Sequence, residues 1–243
     1  MQTKHVKVKK NQLVKYRFKV LTLFVILVIP ILLMLFTLYD NRSYAFISMI
    51  LVILSIVPFL MMYEFKKPQA REWIPIATMA ALAAVGRFAF APIPFFKPMS
   101  AIIIITASVF GAEAGFMTGC ISALASNLFF GQGPWTPWQM FSWGIIGYLS
   151  GYLIKKKIIN NKFKLYLFGG VSGFIFGWIM NIWTATGYMY EFSFDAFFAL
   201  YISSFPTDMI HSIATIIFLK ILYDPWRAKL NRIKVKFGLV DFR

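Results

Sequence analysis

Long apolar runs alternate with short polar or proline-rich segments along most of the chain. A membrane-spanning helix needs about 20 predominantly apolar residues, and several of these runs reach that length. The pattern predicts apolar helices at residues 20–39, 44–63, 73–90, 99–110, 115–130, 138–154, 165–189 and 196–222. The expected fold class is therefore all-α, a polytopic transmembrane helix bundle.

Two of the predicted helices are shorter than a full span. Residues 99–110 and 115–130 meet at the sequence GAEAG, and neither run reaches about 20 residues. They are expected as two short helices. A partly re-entrant segment is the alternative, because irregular backbone at membrane depth is tolerated where protein surrounds it.

The first apolar run, residues 20–39, follows a basic segment but differs from a signal peptide. The apolar core of a signal peptide is usually about 7–15 residues long and ends at a cleavage site of small residues. This run is longer and lacks such a site. It is predicted to remain as a transmembrane helix, with a kink at Pro30.

Composition supports a membrane protein without a separate soluble domain. Of the 243 residues, 59% are hydrophobic and 14% are charged, whereas soluble domains have about 45–50% apolar and 25% charged residues. The single cysteine, Cys120, excludes an intrachain disulfide and a CxxC metal or redox motif. The chain is predicted to be one domain with basic cytosolic tails at 1–19 and 223–243.

The formal net charge of +16 has a topological explanation. All but three of the 25 Lys and Arg residues fall in segments 1–19, 64–72, 155–164 and 220–243. Cytosolic loops carry an excess of Lys and Arg, so both termini are predicted to be cytosolic in a multi-pass protein of a bacterial inner or plasma membrane. The lipid bilayer, and not nucleic acid, is the expected partner of this charge. A tail that contacts a cytosolic protein is the alternative.

Two proline-rich, aromatic corners are predicted on the outer side. They are GRFAFAPIPFFKPMS at 86–100 and GQGPWTPWQM at 131–140. Proline fixes φ and removes a backbone donor, so each corner is expected to be stiff and suited to form the wall of a pocket. The acidic loop with Glu191 and Asp195 is predicted on the same side.

The ionisable residues Arg87, Asp208 and His211 lie inside predicted spans. Charges at membrane depth usually face a cavity or a partner, which makes them functional candidates. An ion pair between Arg87 and Asp208 that pins two helices is the structural alternative, and both interpretations can hold together. His211 is either a polar neighbour of Asp208 or a packing residue, and packing is favoured.

Neutral polar and aromatic residues near the outer helix ends are further candidates. Asn127 and Asn181 need hydrogen-bond partners in lipid, which another helix can supply. A pocket with aromatic walls and a few aimed donors suits a small molecule. The residues that would complete it are Gln132, Trp135, Trp138 and Tyr188, although interfacial aromatic belts collect Trp and Tyr as well.

Catalytic motifs are missing from the sequence. It contains no GxxxxGK(S/T) phosphate loop, no HExxH, no GxSxG and no paired intramembrane carboxylates, and its histidines are His5 and His211. ATP hydrolysis by this chain, metal catalysis and triad chemistry are therefore unsupported. The chain is not expected to be an enzyme, and no cofactor or metal is predicted.

Several segments together resemble the substrate-binding S component of energy-coupling factor (ECF) vitamin transporters. They are AALAAVGRFAF at 80–90, KPMSAI at 97–102, FGAEAGFMTGCISALASNLFFGQGPWTPWQM at 110–140 and GIIGYLSGYL at 144–153. Members of this family have a six-helix core. The resemblance implies that residues 73–222 form a six-helix substrate-binding core, with residues 20–63 as two additional helices in front of it.

The resemblance also implies a division of labour. The S component captures a vitamin outside the cell, and a scaffold transmembrane subunit and two ATPase subunits do the energetic work of delivery. In the family, a small-residue face on the first core helix meets the scaffold. That face corresponds here to Ala77, Ala80, Ala81 and Ala84.

The ligand site of the family is formed by outer loops and outer helix ends. With the pocket candidates above, the expected substrate-binding residues are Arg87, Phe95, Asn127, Phe130, Gln132, Trp135, Trp138, Asn181, Tyr188 and Asp208. The chain looks nearest to S components of the cobalamin type, so cobalamin or a related corrinoid is the expected ligand. Riboflavin, a queuosine precursor or another vitamin are the alternatives, and a secondary transporter or a structural membrane protein are the alternatives outside the family.

Overall fold

The computed structural model describes residues 70–189 and 193–239, together with residues 53, 54, 56, 57 and 61. Within these ranges the chain has helices and no strands, which confirms the all-α part of the prediction for these residues. The six long helices are α1 (Ala70–Ala89), α2 (Met99–Phe110), α3 (Ala112–Phe130), α4 (Thr136–Lys155), α5 (Lys162–Tyr188) and α6 (Phe194–Lys236). The two predicted N-terminal helices lie outside the described residues, apart from the five helical positions between 53 and 61.

Helix α2 is the centre of the bundle and packs against each of the other five helices. Its sequence, MSAIIIITASVF, is apolar on all sides, and every residue except Ser108 is buried. A helix without a polar face belongs in the interior of a bundle. The prediction of a short helix at 99–110 is confirmed, because α2 has 12 residues.

The predicted second helix at 115–130 is confirmed, but it starts earlier than expected, because α3 has 19 residues and begins directly after α2. Gly111 separates the two helices and has a φ of 96°, which a residue with a β-carbon rarely adopts. Its N–H still donates to the carbonyl of Ala107 in α2 at 2.9 Å. The chain therefore turns within one residue, and Ala112 already starts the next helix.

Small residues bring two helix pairs into close contact. In α3 and α4, Gly115 and Gly147 face each other, and a β-carbon at either would overlap the backbone of the other helix. In α5, Gly169, Gly173 and Gly177 recur at four-residue spacing and lie against α6. Such spacing lets helix backbones approach closely in a membrane, and it sets the α3–α4 and α5–α6 contacts.

The predicted scaffold-binding face on α1 is only partly exposed. Ala77 and Ala81 are exposed. Ala80 and Ala84 are buried, at 0% and 3% exposure, because α1 turns this side toward α2 and α3. Ala80 and Ala84 are therefore not accessible to a partner, and this part of the prediction is corrected.

Helix α6 continues beyond its predicted end at residue 222. Asp224 pairs with Lys162 at the start of α5, with 2.5 Å between Oδ2 and Nζ. The helix then passes Pro225, and Lys234 Nζ donates to the carbonyl of Val109 at the end of α2, at 2.8 Å. The last turns of α6 therefore pack against the end of α2 at the same end of the bundle as the start of α5.

The two proline-rich corners lie at one end of the bundle, here called the corner end. Arg87, near the end of α1, contacts Asn127, near the end of α3, and the corners follow these two helices directly. The α2–α3 and α4–α5 connections lie at the opposite end, here called the basic end. In the described part of the chain, α5 and α6 are long and apolar enough to cross a membrane.

Candidate functional site

The side chain of Arg87 lies at the corner end, where α1, α3 and α4 meet. Its Nη1 donates to Ser126 Oγ at 2.6 Å and to Asn127 Oδ1 at 2.7 Å. The guanidinium carbon is 4.5 Å from the ring centre of Phe130 and 5.1 Å from that of Trp143. Both distances are within the range of cation–π attraction, so three helices hold this one charge.

Part of the guanidinium has no partner. In the described ranges no acceptor pairs with Nε or Nη2 of Arg87, and no carboxylate forms an ion pair with it. These two nitrogens carry three N–H donors. Because Arg87 is only half-buried, these donors are available to a ligand.

Asn127 is buried at the centre of a polar network. Its side chain is 1% exposed, and Oδ1 accepts from Arg87. Its Nδ2 donates to Thr136 Oγ1 at 3.0 Å and to Gln139 Oε1 at 2.8 Å. Thr136 and Gln139 are three residues apart on the first turn of α4 and so share a face. The amide uses both of its donors and one acceptor, which orients it toward Arg87.

The second corner is tied to the same network. Thr136 Oγ1 donates to Gln132 Oε1 at 3.0 Å, and the N–H of Gly133 donates to Thr136 Oγ1 at 3.2 Å. Gln132 Nε2 also donates to the carbonyl of Leu124 at 2.9 Å. The position of the corner therefore depends on the polar groups that orient Arg87.

A second polar chain begins at Trp143. Its Nε1 donates to Ser100 Oγ at 3.2 Å, and Ser100 Oγ lies 2.9 Å from His211 Nε2. The imidazole of His211 meets the ring of Phe176 edge-on, with 5.1 Å between centres. Ser100 and His211 are both buried. This chain connects α2, α4 and α6 behind the ring that faces Arg87.

The alternative ion pair between Arg87 and Asp208 is not formed. Asp208 Oδ2 is 3.3 Å from Ser204 Oγ, which also accepts from Asn181 Nδ2 at 2.7 Å. The carboxylate lies directly on the backbone of Gly177, where a β-carbon would overlap it. Asn181 and Asp208 therefore belong to the contact between α5 and α6, and no described hydrogen bond joins them to the network of Asn127.

Aromatic side chains cluster on the other side of the first turn of α4. Trp138 is 1% exposed, and its ring centre is 6.4 Å from that of Trp183. Trp183 in turn lies 6.2 Å from Tyr188. Ile56 is buried in the same cluster, so one described residue of the predicted second helix reaches it. Trp138 Nε1 is buried and has no hydrogen-bond partner among the described residues.

The first corner places a second cation near Arg87. Lys97 Nζ donates to the carbonyls of Phe90 and Ile93, at 2.7 Å for the latter. Partial burial and the nearby charge of Arg87 lower the pKa of Lys97. Phe95 is exposed in the same corner and has a φ of 57°, which is uncommon for a bulky residue. The corner end therefore carries positive charge without a paired carboxylate in the described ranges.

The structure brings only part of the predicted set together. Arg87, Asn127, Phe130 and Gln132 meet at the corner end. Trp138 belongs to the separate aromatic cluster, Tyr188 contacts that cluster through Trp183, and Trp135 lies over Gly133 at its edge.

Sequence reasoning missed several residues that complete the network of Arg87. For Thr136 and Gln139 a signal existed, since polar residues three apart at the start of a helix share one face. Ser126, next to Asn127, also turns toward Arg87. Trp143 gave no such signal, because its partners are 43 residues away at Ser100 and on other helices.

Comparison with known proteins gives a family match over most of the chain. The family model described as "ECF-type riboflavin transporter, S component" matches residues 69–228. That range contains α1 to α5 completely and α6 as far as residue 228. No solved structure matches the chain.

Curated relatives named UPF0397 are similar over part of the chain. The protein from Aliivibrio fischeri strain MJ11 is 30% identical over 122 residues, which cover 43% of this chain and 66% of the relative. The protein from Aliivibrio salmonicida strain LFI1238 is 31% identical over 124 residues, which cover 49% of this chain and 66% of the relative. The chain therefore spans 66% of the length of these relatives.

Proposed function

Because the chain belongs to the ECF-type riboflavin transporter S component family, we propose that it captures a vitamin at the corner end and delivers it through an ECF importer. Members of this family are membrane-embedded transporter components and not enzymes, and they work with scaffold and ATPase subunits. In the proposed importer this chain supplies ligand recognition. The scaffold and the two ATPases supply the energy.

The observation that carries the proposal is the unpaired part of Arg87. A charge within a membrane protein is costly and usually faces a cavity or a partner. Ser126 and Asn127 are neutral acceptors that occupy Nη1, so the charge itself remains uncompensated. A ligand that brings carbonyl, phosphate or carboxylate oxygens to Nε and Nη2 would satisfy these donors.

The rings beside Arg87 support a ligand with a flat conjugated part. Phe130 and Trp143 both lie within about 5 Å of the guanidinium, and aromatic walls with few polar groups are the usual composition of a small-molecule site. Riboflavin, named in the description of the family, has a planar ring with carbonyl acceptors. Cobalamin, the ligand expected from the sequence, has a larger ring with amide side chains. Both are candidates within the proposal.

The test is a titration of the purified chain in detergent with riboflavin and with cyanocobalamin, in which calorimetry measures the binding. Native mass spectrometry of protein expressed in rich medium identifies any vitamin that co-purifies. We expect one vitamin to bind tightly, and Arg87→Gln to weaken that binding at least tenfold through loss of a charge-assisted hydrogen bond. Arg71→Gln is the matched control, because Arg71 is exposed at the other end of α1.

Three results would contradict the proposal. The first is a folded wild-type protein that binds no vitamin and carries none after purification. The second is an Arg87→Gln variant that binds as tightly as the wild type. The third is uptake into vesicles that contain only this chain and an ion gradient, since a secondary transporter requires neither a scaffold nor ATPases.

A further inference from the structure

The last turns of α6, residues 226–236, are here called the basic segment. Its inner side is apolar, because Trp226, Leu230 and Ile233 recur at i, i+4 and i+7 and pack on the core of the bundle. Lys234 adds a polar anchor through its hydrogen bond to the carbonyl of Val109, at 2.8 Å. The segment is therefore docked against the basic end of the bundle.

The outer side of the basic segment is cationic. Four exposed side chains carry positive charge, namely Arg227, Lys229, Arg232 and Lys236. Three of them, at 229, 232 and 236, follow helical spacing and form one stripe. Val235 and Phe237 are 82% and 51% exposed beside them, and residues 226–239 include no acidic residue.

In the described ranges, the surrounding surface has little negative charge to neutralise this stripe. The α4–α5 connection contributes exposed Lys155, Lys156 and Lys157. Three acidic residues are described at this end: Glu72 is buried, Glu113 is half-buried and Asp224 is paired with Lys162. The cations of the basic segment thus face outward from a surface whose described part is basic.

Helix lengths indicate how far α1 and α2 reach toward the basic end. Pro98, just before α2, lies against Gly86 of α1, so the two helices run from a common level toward the basic end. At 1.5 Å per residue α2 covers about 18 Å, whereas α1 covers about 24 Å between Gly86 and Ala70. Helix α2 is thus the shorter of the two, and the basic segment packs at its end, where Lys234 binds the carbonyl of Val109.

We propose that the basic segment binds the phosphate groups of anionic phospholipids in the leaflet at the basic end, which is predicted to be cytosolic. Anionic lipids attract clustered Lys and Arg next to a membrane span. Long basic side chains can lay their apolar stems on the surface while their charged ends reach the phosphates. Val235 and Phe237 are single apolar side chains among charges, which suits an interfacial helix better than a contiguous protein-binding patch.

The test measures lipid retention by the full-length chain. Wild-type protein is purified in a mild detergent with equimolar phosphatidylglycerol and phosphatidylcholine, and bound lipids are counted by native mass spectrometry. The segment variant is Arg227→Gln with Lys229→Gln, Arg232→Gln and Lys236→Gln. The matched control is Lys155→Gln with Lys156→Gln, Lys157→Gln and Lys164→Gln, which removes the same charge from the same end outside the segment.

We expect the wild type to retain phosphatidylglycerol over phosphatidylcholine by at least fivefold, the segment variant to lose this preference, and the control to keep it. If the fourfold variant does not fold, the pairs Arg227→Gln with Lys229→Gln and Arg232→Gln with Lys236→Gln are each expected to reduce the preference partially. An excess of inorganic phosphate should leave the retained lipid in place.

Four outcomes would overturn the proposal. They are equal retention of both lipids by the wild type, an unchanged preference in the segment variant, an equal loss in the control, and displacement of the lipid by inorganic phosphate. A segment variant that keeps its lipid but no longer recovers ATPase subunits would identify a protein-docking surface instead. None of these results depends on vitamin binding, so the lipid proposal and the proposed function can fail separately.

Discussion

The carboxylate of Asp208 on α6 lies against the backbone of Gly177 on α5, and a β-carbon at position 177 would overlap it. Asp208 is 5% exposed, so this acid is enclosed between the two helices. Gly173 and Gly169 continue the same contact along α5. The close approach of α5 and α6 thus depends on these glycines, which have no side chain. The carboxylate of Asp208, with its partner Ser204, fills the space between the helices.

Replacing Gly177 by alanine should force α5 and α6 apart. The new methyl group meets a buried carboxylate, and overpacking of a close contact costs about 1–3 kcal/mol. A chain of this size should lose roughly 2–4 °C of Tm for each kcal/mol. Differential scanning fluorimetry of the purified protein in detergent measures the change.

Gly170→Ala is the matched control for Gly177→Ala. A β-carbon there would lie 3.3 Å from the terminal carbon of Ile216, the end of a flexible side chain. Its effect on Tm should be small, and the alanine also lowers the conformational freedom of the unfolded chain. Equal losses of Tm in both variants would show that glycine in α5 matters for another reason than the contact with Asp208.

Removing the amide of Asn127 should disturb both stability and ligand binding. Asn127→Ala leaves the half-buried acceptor Gln139 Oε1 without its donor and leaves Ser126 as the hydrogen-bond acceptor of Arg87. A buried polar group without a partner costs about 1–3 kcal/mol. We expect a lower Tm and weaker vitamin binding, measured on the same preparation by fluorimetry and calorimetry.

Asn160→Ala provides the comparison, because Asn160 is exposed in the connection between α4 and α5. Surface substitutions of this kind usually change stability by less than about 0.5 kcal/mol. If Asn127→Ala behaves like Asn160→Ala in both measurements, the network around Asn127 does not orient Arg87.

The exposed part of the small-residue face on α1 should be the scaffold contact. Ala77 and Ala81 remain on the surface, and a small residue there lets another helix approach closely. Ala81→Trp should abolish recovery of the scaffold and ATPase subunits in a pull-down while vitamin binding is kept. Val171→Trp, at an exposed position on α5, should recover them normally. Normal recovery with Ala81→Trp would move the contact elsewhere.

The ammonium of Lys234 should stabilise the end of α2. Cations near the last carbonyls of a helix are favourable by about 0.3–1 kcal/mol, and more when partly buried. Lys234→Gln should lower the Tm, and Lys234→Arg should lower it less. Lys229→Gln, at an exposed position, should leave the Tm unchanged in detergent without anionic lipid. Equal Tm values for all three variants would show that the bond to Val109 adds no stability.

Local pattern predicted the helices better than it predicted their partners. The ends of α2 were correct because Pro98 and Gly111 bracket an apolar run. The end of α6 was missed, because the charged residues after residue 222 indicate a polar tail. The apolar residues between them pack on the core of the bundle, which the sequence alone does not show. The pairing of Arg87 was also undetermined, because Asp208 and Asn127 are both plausible partners until the helices are placed.

What the sequence determined by itself is what depends on near neighbours along the chain. Length and apolarity predict membrane helices, prolines predict corners, and charge asymmetry predicts which end is basic. Only the tertiary structure decided which small residues face inward, so Ala80 and Ala84 are buried while Ala77 and Ala81 are exposed. It also decided that Arg87 meets Asn127 and that Asp208 meets Gly177. The physical reason is that helix rotation and partner choice result from packing summed over the whole bundle, which no local spacing encodes.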